Sequence, residues 1–177
     1  MEPEKKIRRQ SSFFSNLFKT PAERNEILDL FTSTLPFGSF NAKDVDLLMP
    51  IMHNRIYAAG ENIFFQDDPG TAFYLIEEGE VNLEMAFKDG KRFNVGHYKK
   101  GDFFGELAML ENERRYASAV AVKDCKLIVI FKPDLDEYID KYPKKGIKIL
   151  RGISQVFAYR FRQLSQDYTN FIMENRS

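Results

Sequence analysis

The 177-residue sequence is poor in the residues that build cofactor chemistry: it has one cysteine, Cys125, and two histidines, His53 and His97. A single thiol excludes an internal disulfide and a cysteine-ligated iron–sulfur cluster, which needs several thiolates. Cys125 lies in an apolar run and is assigned to the core. The histidines fall in different elements without a neighbouring imidazole, so they do not form the ligand cluster of a cupin-type metal enzyme. A haem axial ligand would rest on His97 alone and is discounted. Ser118 has no histidine placed beside it, so no nucleophile–base–orienter set is read, and catalytic residues, metal and cofactor are all assigned as none. There is also no run of about 18 uncharged apolar residues and no N-terminal apolar stretch with a small-residue cleavage site, which reads as cytoplasmic.

What is present is a core and an uneven charge. Apolar residues make up 44% and aromatics 14%, enough for one domain with appended helices. The formal net charge is zero, yet residues 1–24 carry six bases against three acids and residues 141–177 eight against two. The acidic middle makes a poor nucleic-acid surface, so no nucleic-acid partner is expected and the basic ends read as solvated helix faces. Within 1–24, Phe13, Phe14, Leu17 and Phe18 follow Lys5, Lys6, Arg8 and Arg9 at amphipathic spacing. Packing on the domain or on a symmetry mate is the preferred reading of that extension, and membrane-surface contact by residues 5–19 the lesser one.

Helical spacing brackets a sheet. Thr20, Pro21 and Glu23 are a start signal of N-cap, N1 and N3, and Ile27, Leu28, Leu30 and Phe31 cover one face. Asn41 opens a second helix, expected to run roughly three turns through Val45, Leu48 and Met52. From Arg55 to Lys132 the period becomes two: Val81, Leu83, Met85 and Phe87 alternate with polar neighbours. Asp89-Gly90 then offers a tight turn before Phe93 and Val95 resume the alternation. Gly60, Gly70, Gly79, Gly90 and Gly101 punctuate this run, as in a sandwich or jelly roll. Lys132-Pro133-Asp134 opens a short helix that Tyr142-Pro143 stops. A long helix from about Lys144 to Met173 carries Leu150, Ile153, Phe157, Phe161, Leu164, Tyr168 and Phe171 as a heptad-like seam, for the domain or for a twin. The divisions are 1–24 for the extension, 25–54 for N-terminal helices, 55–132 for the sheet and 133–177 for C-terminal helices.

The most informative stretch is 101–123, which starts Gly101-Asp102-Phe103-Phe104-Gly105-Glu106-Leu107-Ala108. Gly105 lets the backbone approach a ligand, and the first amides of a turn opening at Glu106 lack intrahelical partners and suit an anion. Arg115 could close that site with a bidentate fork, and Glu106 could accept from neutral hydroxyls. On local physics alone a solvated loop fits equally well.

The string Phe104-Gly105-Glu106-Leu107-Ala108, the pair Met109-Leu110, and Arg115 followed by Tyr116-Ala117-Ser118 resemble the phosphate-binding cassette of cyclic-nucleotide-binding domains. This module is shared by protein kinase regulatory subunits, catabolite activator proteins and cyclic-nucleotide-gated channels. Residues 59–67, 73–76 and 79–81 resemble the family's opening strands, and the likeness covers roughly 40–165. It implies an α+β fold: an antiparallel β-roll, jelly-roll-like, with N-terminal helices, the cassette at 101–118 and a C-terminal helical lid. It implies cAMP, or less readily cGMP, as ligand. Gly105, Leu107, Ala108, Arg115, Tyr116 and Ala117 would hold the cyclic phosphate, Glu106 the ribose 2′-hydroxyl, and Phe157, Tyr159 or Phe161 would cover the base. Arg114 stands where kinase-type cassettes have proline, and Tyr116 where the family has Ala, Ser or Thr. The resemblance further implies a signalling module whose last helix acts on a homodimer mate or a protein effector. An interaction scaffold that keeps the fold without the ligand is the alternative. With few residues after the long helix, no reader or effector domain is expected within the chain.

Overall fold

A computed structural model describes residues 20–34, 37–107 and 113–175. The amphipathic segment at 5–19, Ala108 and the Met109-Leu110 pair lie outside the described residues. Two four-stranded antiparallel sheets stack face to face, with helices on the outer face of one of them.

Helix α1, Pro21–Ser33, begins with the expected capping box: the Thr20 hydroxyl accepts from the Glu23 amide, and the Glu23 carboxylate accepts from the Thr20 amide. Helix α2, Ala42–Leu48, has the same device in Asn41 and Asp44. It is shorter than the expected three turns because Pro50 has no N–H to continue the ladder, and the chain tightens into a 3₁₀ turn over Met49–Ile51.

The strands are β1 His53–Tyr57, β2 Asn62–Phe64, β3 Ala72–Glu78, β4 Glu80–Ala86, β5 Arg92–Lys99, β6 Phe103–Phe104, β7 Ser118–Ala121 and β8 Cys125–Phe131. One sheet has the order β1-β8-β3-β6, the other β2-β7-β4-β5. Strands β3 and β8 are buried on both faces, hence their continuous apolar runs. Phe73, Leu75, Ile128 and Ile130 face the helices, while Tyr74, Ile76, Leu127 and Val129 face the second sheet. Strand β4 keeps a polar face, so only Val81 and Leu83 are fully buried. The alternation at Phe93 and Val95 does not mark a core face: β5 is an edge strand, and both side chains are exposed.

Helix α3, Lys132–Lys141, ends at Tyr142, and helix α4, Pro143–Glu174, follows at once. The buried stripe of α4 is Ile149, Ile153 and Val156, rotated by about one residue from the seam read in the sequence. Leu150, Phe161, Leu164, Tyr168 and Phe171 face solvent. Each buried aliphatic chain contributes about 1.5–3 kcal/mol, so the first half of α4 is anchored and the second half makes no comparable contact. Asp44, fully buried, secures that anchored half by accepting from Lys145 and, at 2.7 Å, from Lys148. No described helix is long and apolar enough to cross a membrane, and the described residues contain no cluster of three or more His, Cys, Asp or Glu able to hold a metal.

Candidate functional site

Strand β6 pairs with β3 through Tyr74 and Leu75, and the chain then leaves the sheet at Gly105. Gly105 has φ +77°, in the left-handed region, and a Cβ there would lie 2.9 Å from Arg115 Nη1 and 3.3 Å from the Ala72 carbonyl oxygen. Glycine is required both by the turn and by the approach of the arginine.

Arg115 is fixed from its backbone outward. Its amide donates to the Asp68 carbonyl and its carbonyl accepts from the Asp67 amide, each at 2.8 Å, so the turn before β3 holds it like a paired strand residue. The Gln66 amide donates to the Ser118 hydroxyl at 2.9 Å and fixes the exit of the same segment. The side chain runs inward and is 7% exposed. Nη2 donates to the Ala72 carbonyl at 2.6 Å and Nη1 to the Gly105 carbonyl at 3.1 Å, while Nε is buried without a hydrogen-bond partner. The guanidinium lies 4.2 Å from the Phe64 ring centroid and 5.8 Å from that of Tyr74. Among the described residues no carboxylate forms an ion pair with it. Burial pulls its pKa down against the opposing influence of Tyr74 and Glu106, yet an arginine remains a cation under any biological condition.

Glu106, 5% exposed, stands beside this cation without pairing to it. Its Oε1 accepts from Arg160 Nη1, and Arg160 Nη2 donates to the Phe103 carbonyl at 2.6 Å. Tyr98 and Phe103 flank the Arg160 guanidinium, with ring centroids 5.1 and 5.2 Å away. Around these groups is a cavity of about 280 Å³ lined by Phe64, Leu83, Gly105, Glu106, Leu107 and Arg115, with Tyr116, Ala117 and Arg160 among the remaining walls. Burial of the Tyr116 hydroxyl, with Tyr98 and Glu106 nearby and Arg160 opposing, pushes its pKa up to about 12, so it is a neutral donor and acceptor at the rim. The arrangement joins a buried cation, a buried carboxylate, an apolar wall and a phenol, a set suited to a small organic anion that also carries hydroxyls.

The fold therefore brings Gly105, Glu106, Leu107, Arg115, Tyr116 and Ala117 together around one cavity. It does not bring the lid candidates there. Phe157 packs at the edge of the helical core, Tyr159 is half exposed and Phe161 is exposed. The reason is helical phase: 149, 153, 156 and 160 share the inward face, and Phe161 is turned about 100° away from it. What α4 delivers to the cavity is Arg160, one of the basic residues that the charge pattern places on a solvated face. Its position four residues after Val156 on the buried stripe was the available signal.

Fold and site together define a β-roll ligand-binding module with an anion-competent cavity between the sheet edge and the last helix. The chain belongs to the cyclic nucleotide-binding domain family, whose pattern matches residues 54–142. It is 32% identical over 127 residues to the cyclic AMP receptor protein of Thermus thermophilus, covering 72% of this chain and 57% of that one. It is 44% identical over 102 residues to the cAMP-dependent protein kinase regulatory subunit of Aspergillus niger, covering 58% of this chain and 23% of that one. The crystal structure of a cyclic nucleotide-binding domain from Methylobacillus flagellatus superposes with a TM-score of 0.72 at 25% identity, covering 84% of this chain and 90% of that chain. The chain thus spans less than two thirds of the length of either curated relative.

Proposed function

We propose that this chain is a cyclic-nucleotide sensor module that binds cAMP in preference to cGMP. The observation that carries the reading is Arg115: a guanidinium buried at a cavity wall, with no ion-pair partner among the described residues. Leaving a charge buried and unpaired is expensive, and an entering anion relieves that expense. Two of the five N–H donors are used on carbonyls and the guanidinium also hydrogen-bonds the Tyr74 side chain, which leaves at least two donors for a cyclic phosphate. Gly105, Leu107, Ala108, Tyr116 and Ala117 would complete the phosphate cradle, and the Glu106 carboxylate would accept the ribose 2′-hydroxyl. The names of the relatives, a cyclic AMP receptor protein and cAMP-dependent kinase subunits, support cAMP. The module has no catalytic role in this reading.

Its output would pass through α4. Phe161, Leu164, Tyr168 and Phe171 form an exposed apolar stripe on the half of the helix beyond the last buried contact, suited to a homodimer mate or a protein effector. One observation favours the alternative of a scaffold that does not use the ligand: the Arg115 bonds to Ala72 and Gly105 give that side chain a structural task. Thermal melts with cAMP and with cGMP separate the readings. A ligand at 100 times its dissociation constant stabilises by about 2.7 kcal/mol, a shift of roughly 5–10 °C for a domain of this size. A melting temperature unmoved by saturating concentrations of either nucleotide selects the scaffold. A larger shift with cGMP than with cAMP reverses the preference. Light scattering of the same samples reports whether the stripe joins two copies.

A further inference from the structure

Arg115 is a buried cation for which the described residues supply no ion pair. The carboxylates whose charges reach it are engaged elsewhere: Glu106 by Arg160, and Asp68 by the Phe65 amide, which donates to it at 2.8 Å. The Ala72 and Gly105 carbonyls take two N–H groups, but two neutral dipoles do not balance a full charge withdrawn from water. What else touches the guanidinium is aromatic.

The local sequence builds that aromatic surface. Strand β2 shifts register between Asn62 and Phe64, so the consecutive residues Ile63 and Phe64 are both buried between the sheets instead of alternating. Phe64 is thereby delivered against Arg115, whose Cζ stands 4.2 Å from the ring centroid. Tyr74, two residues after Ala72 on β3, has its ring centroid 5.8 Å from the same carbon, and its side chain hydrogen-bonds the guanidinium. Phe104 stacks on Tyr74, with centroids 5.1 Å and planes 10° apart, and lies 6.0 Å from the Phe64 ring, so both rings are backed. Burial raises the pKa of the Tyr74 phenol despite the pull of Arg115, so it stays neutral and supplies no phenolate.

We infer that Phe64, with Tyr74 beside it, is a positioning residue whose ring face serves Arg115 as its counter-charge in the ligand-free protein and keeps the uncommitted N–H groups available to an entering anion. A carboxylate in that place would settle the charge by occupying the guanidinium fork, and would then compete with the anion. A ring face attracts the cation through its quadrupole and carries no formal negative charge to repel an anion. The inference goes beyond the cyclic-nucleotide reading, since it concerns the ligand-free protein and holds for any anion the cavity receives.

The test replaces Phe64 in turn by mono-, di- and trifluorinated phenylalanine, which keep the shape of the ring while progressively draining its negative face, and reads the melting temperature of the full chain without ligand. The melting temperature is expected to fall with each fluorine, by about 4–8 °C in total for a desolvated cation–π contact in a domain of this size. In an Arg115→Met background, where a side chain of similar length carries no charge, the same series should move it by less than about 2 °C. Arg115→Gln serves as the neutral background if the methionine variant does not melt cooperatively. Equal slopes in the charged and neutral backgrounds would mean that the ring only fills space, and would overturn the inference. A flat series with Arg115 in place would do the same. With saturating cAMP the slope should at least halve, because the bound anion takes over the neutralisation, and an unchanged slope in a protein that binds cAMP would also overturn the inference. Failure to bind cAMP refutes the functional reading alone, and the ligand-free series then decides the role of Phe64.

Discussion

Replacing Arg115 by alanine tests the cavity most directly, because the structure sets the expected size of the effect. At least two N–H groups of the guanidinium are uncommitted, and a cyclic phosphate taking two of them gains about 1.5–3 kcal/mol from each, as for hydrogen bonds involving charged groups. The loss is then about 3–6 kcal/mol, or roughly two to four orders of magnitude in affinity at 1.4 kcal/mol per decade. Alanine also deprives the Ala72 and Gly105 carbonyls of their donors, at about 1–3 kcal/mol each if water does not replace them. Removal of an unpaired buried charge opposes that loss, so the unliganded fold should survive the change better than binding does. Calorimetry with cAMP gives the affinity, and a circular dichroism melt shows that the variant is folded. Arg115→Lys should fall between the two, since an ammonium can supply the charge but not the planar fork. A folded Arg115→Ala variant whose dissociation constant stays within twofold of the wild type would refute the assignment of the phosphate to this residue.

Two further outcomes follow, one from the cavity wall and one from the base of α4. Gly105→Ala places a Cβ 2.9 Å from Arg115 Nη1 on a backbone at φ +77°, so the variant should lose about 1–3 kcal/mol of stability in a denaturant titration and also bind cAMP more weakly. Asp44 is expected to govern the acid limb of stability. Burial pushes its carboxyl up, but Lys145, Lys148 and the Asn41 amide together hold it below its ordinary value. Its ion pairs therefore stabilise the fold fully above about pH 4 and progressively less as the pH falls through the lower folded-state value. Asp44→Asn should flatten that limb and cost about 3 kcal/mol at neutral pH, the low end for a broken buried pair because both lysines are partly exposed. Urea unfolding between pH 3 and 7 measures both effects, and an unchanged acid limb would remove Asp44 from the account.

The sequence by itself determined whatever depends on spacing along the chain. The capping box at Thr20 and Glu23, the period of two through Val81 and Leu83 in β4 and the stop at Tyr142-Pro143 are local physics and stand in the structure, whereas Phe87, read on the same face, lies past the end of the strand and is exposed. The motif from Phe104 to Ser118 also carried the family, because a loop that must place a glycine turn and an arginine ten residues apart leaves a recognisable string. Spacing did not decide phase or partner. The edge position of β5 exposes Phe93 and Val95 although their alternation matches a buried face, because burial depends on whether another layer covers the strand. A rotation of α4 by about one residue brings Arg160 to the cavity and leaves Phe157, Tyr159 and Phe161 out of it, since neighbouring positions on a helix differ by about 100°. The pairing of Glu106 with Arg160 joins residues 54 positions apart in sequence. Only the docking of α4 on the outer, helix-covered face of the β1-β8-β3-β6 sheet could bring those two charges together, and that docking is fixed by Ile149, Ile153 and Val156 in the core and by Asp44 at the base of the helix.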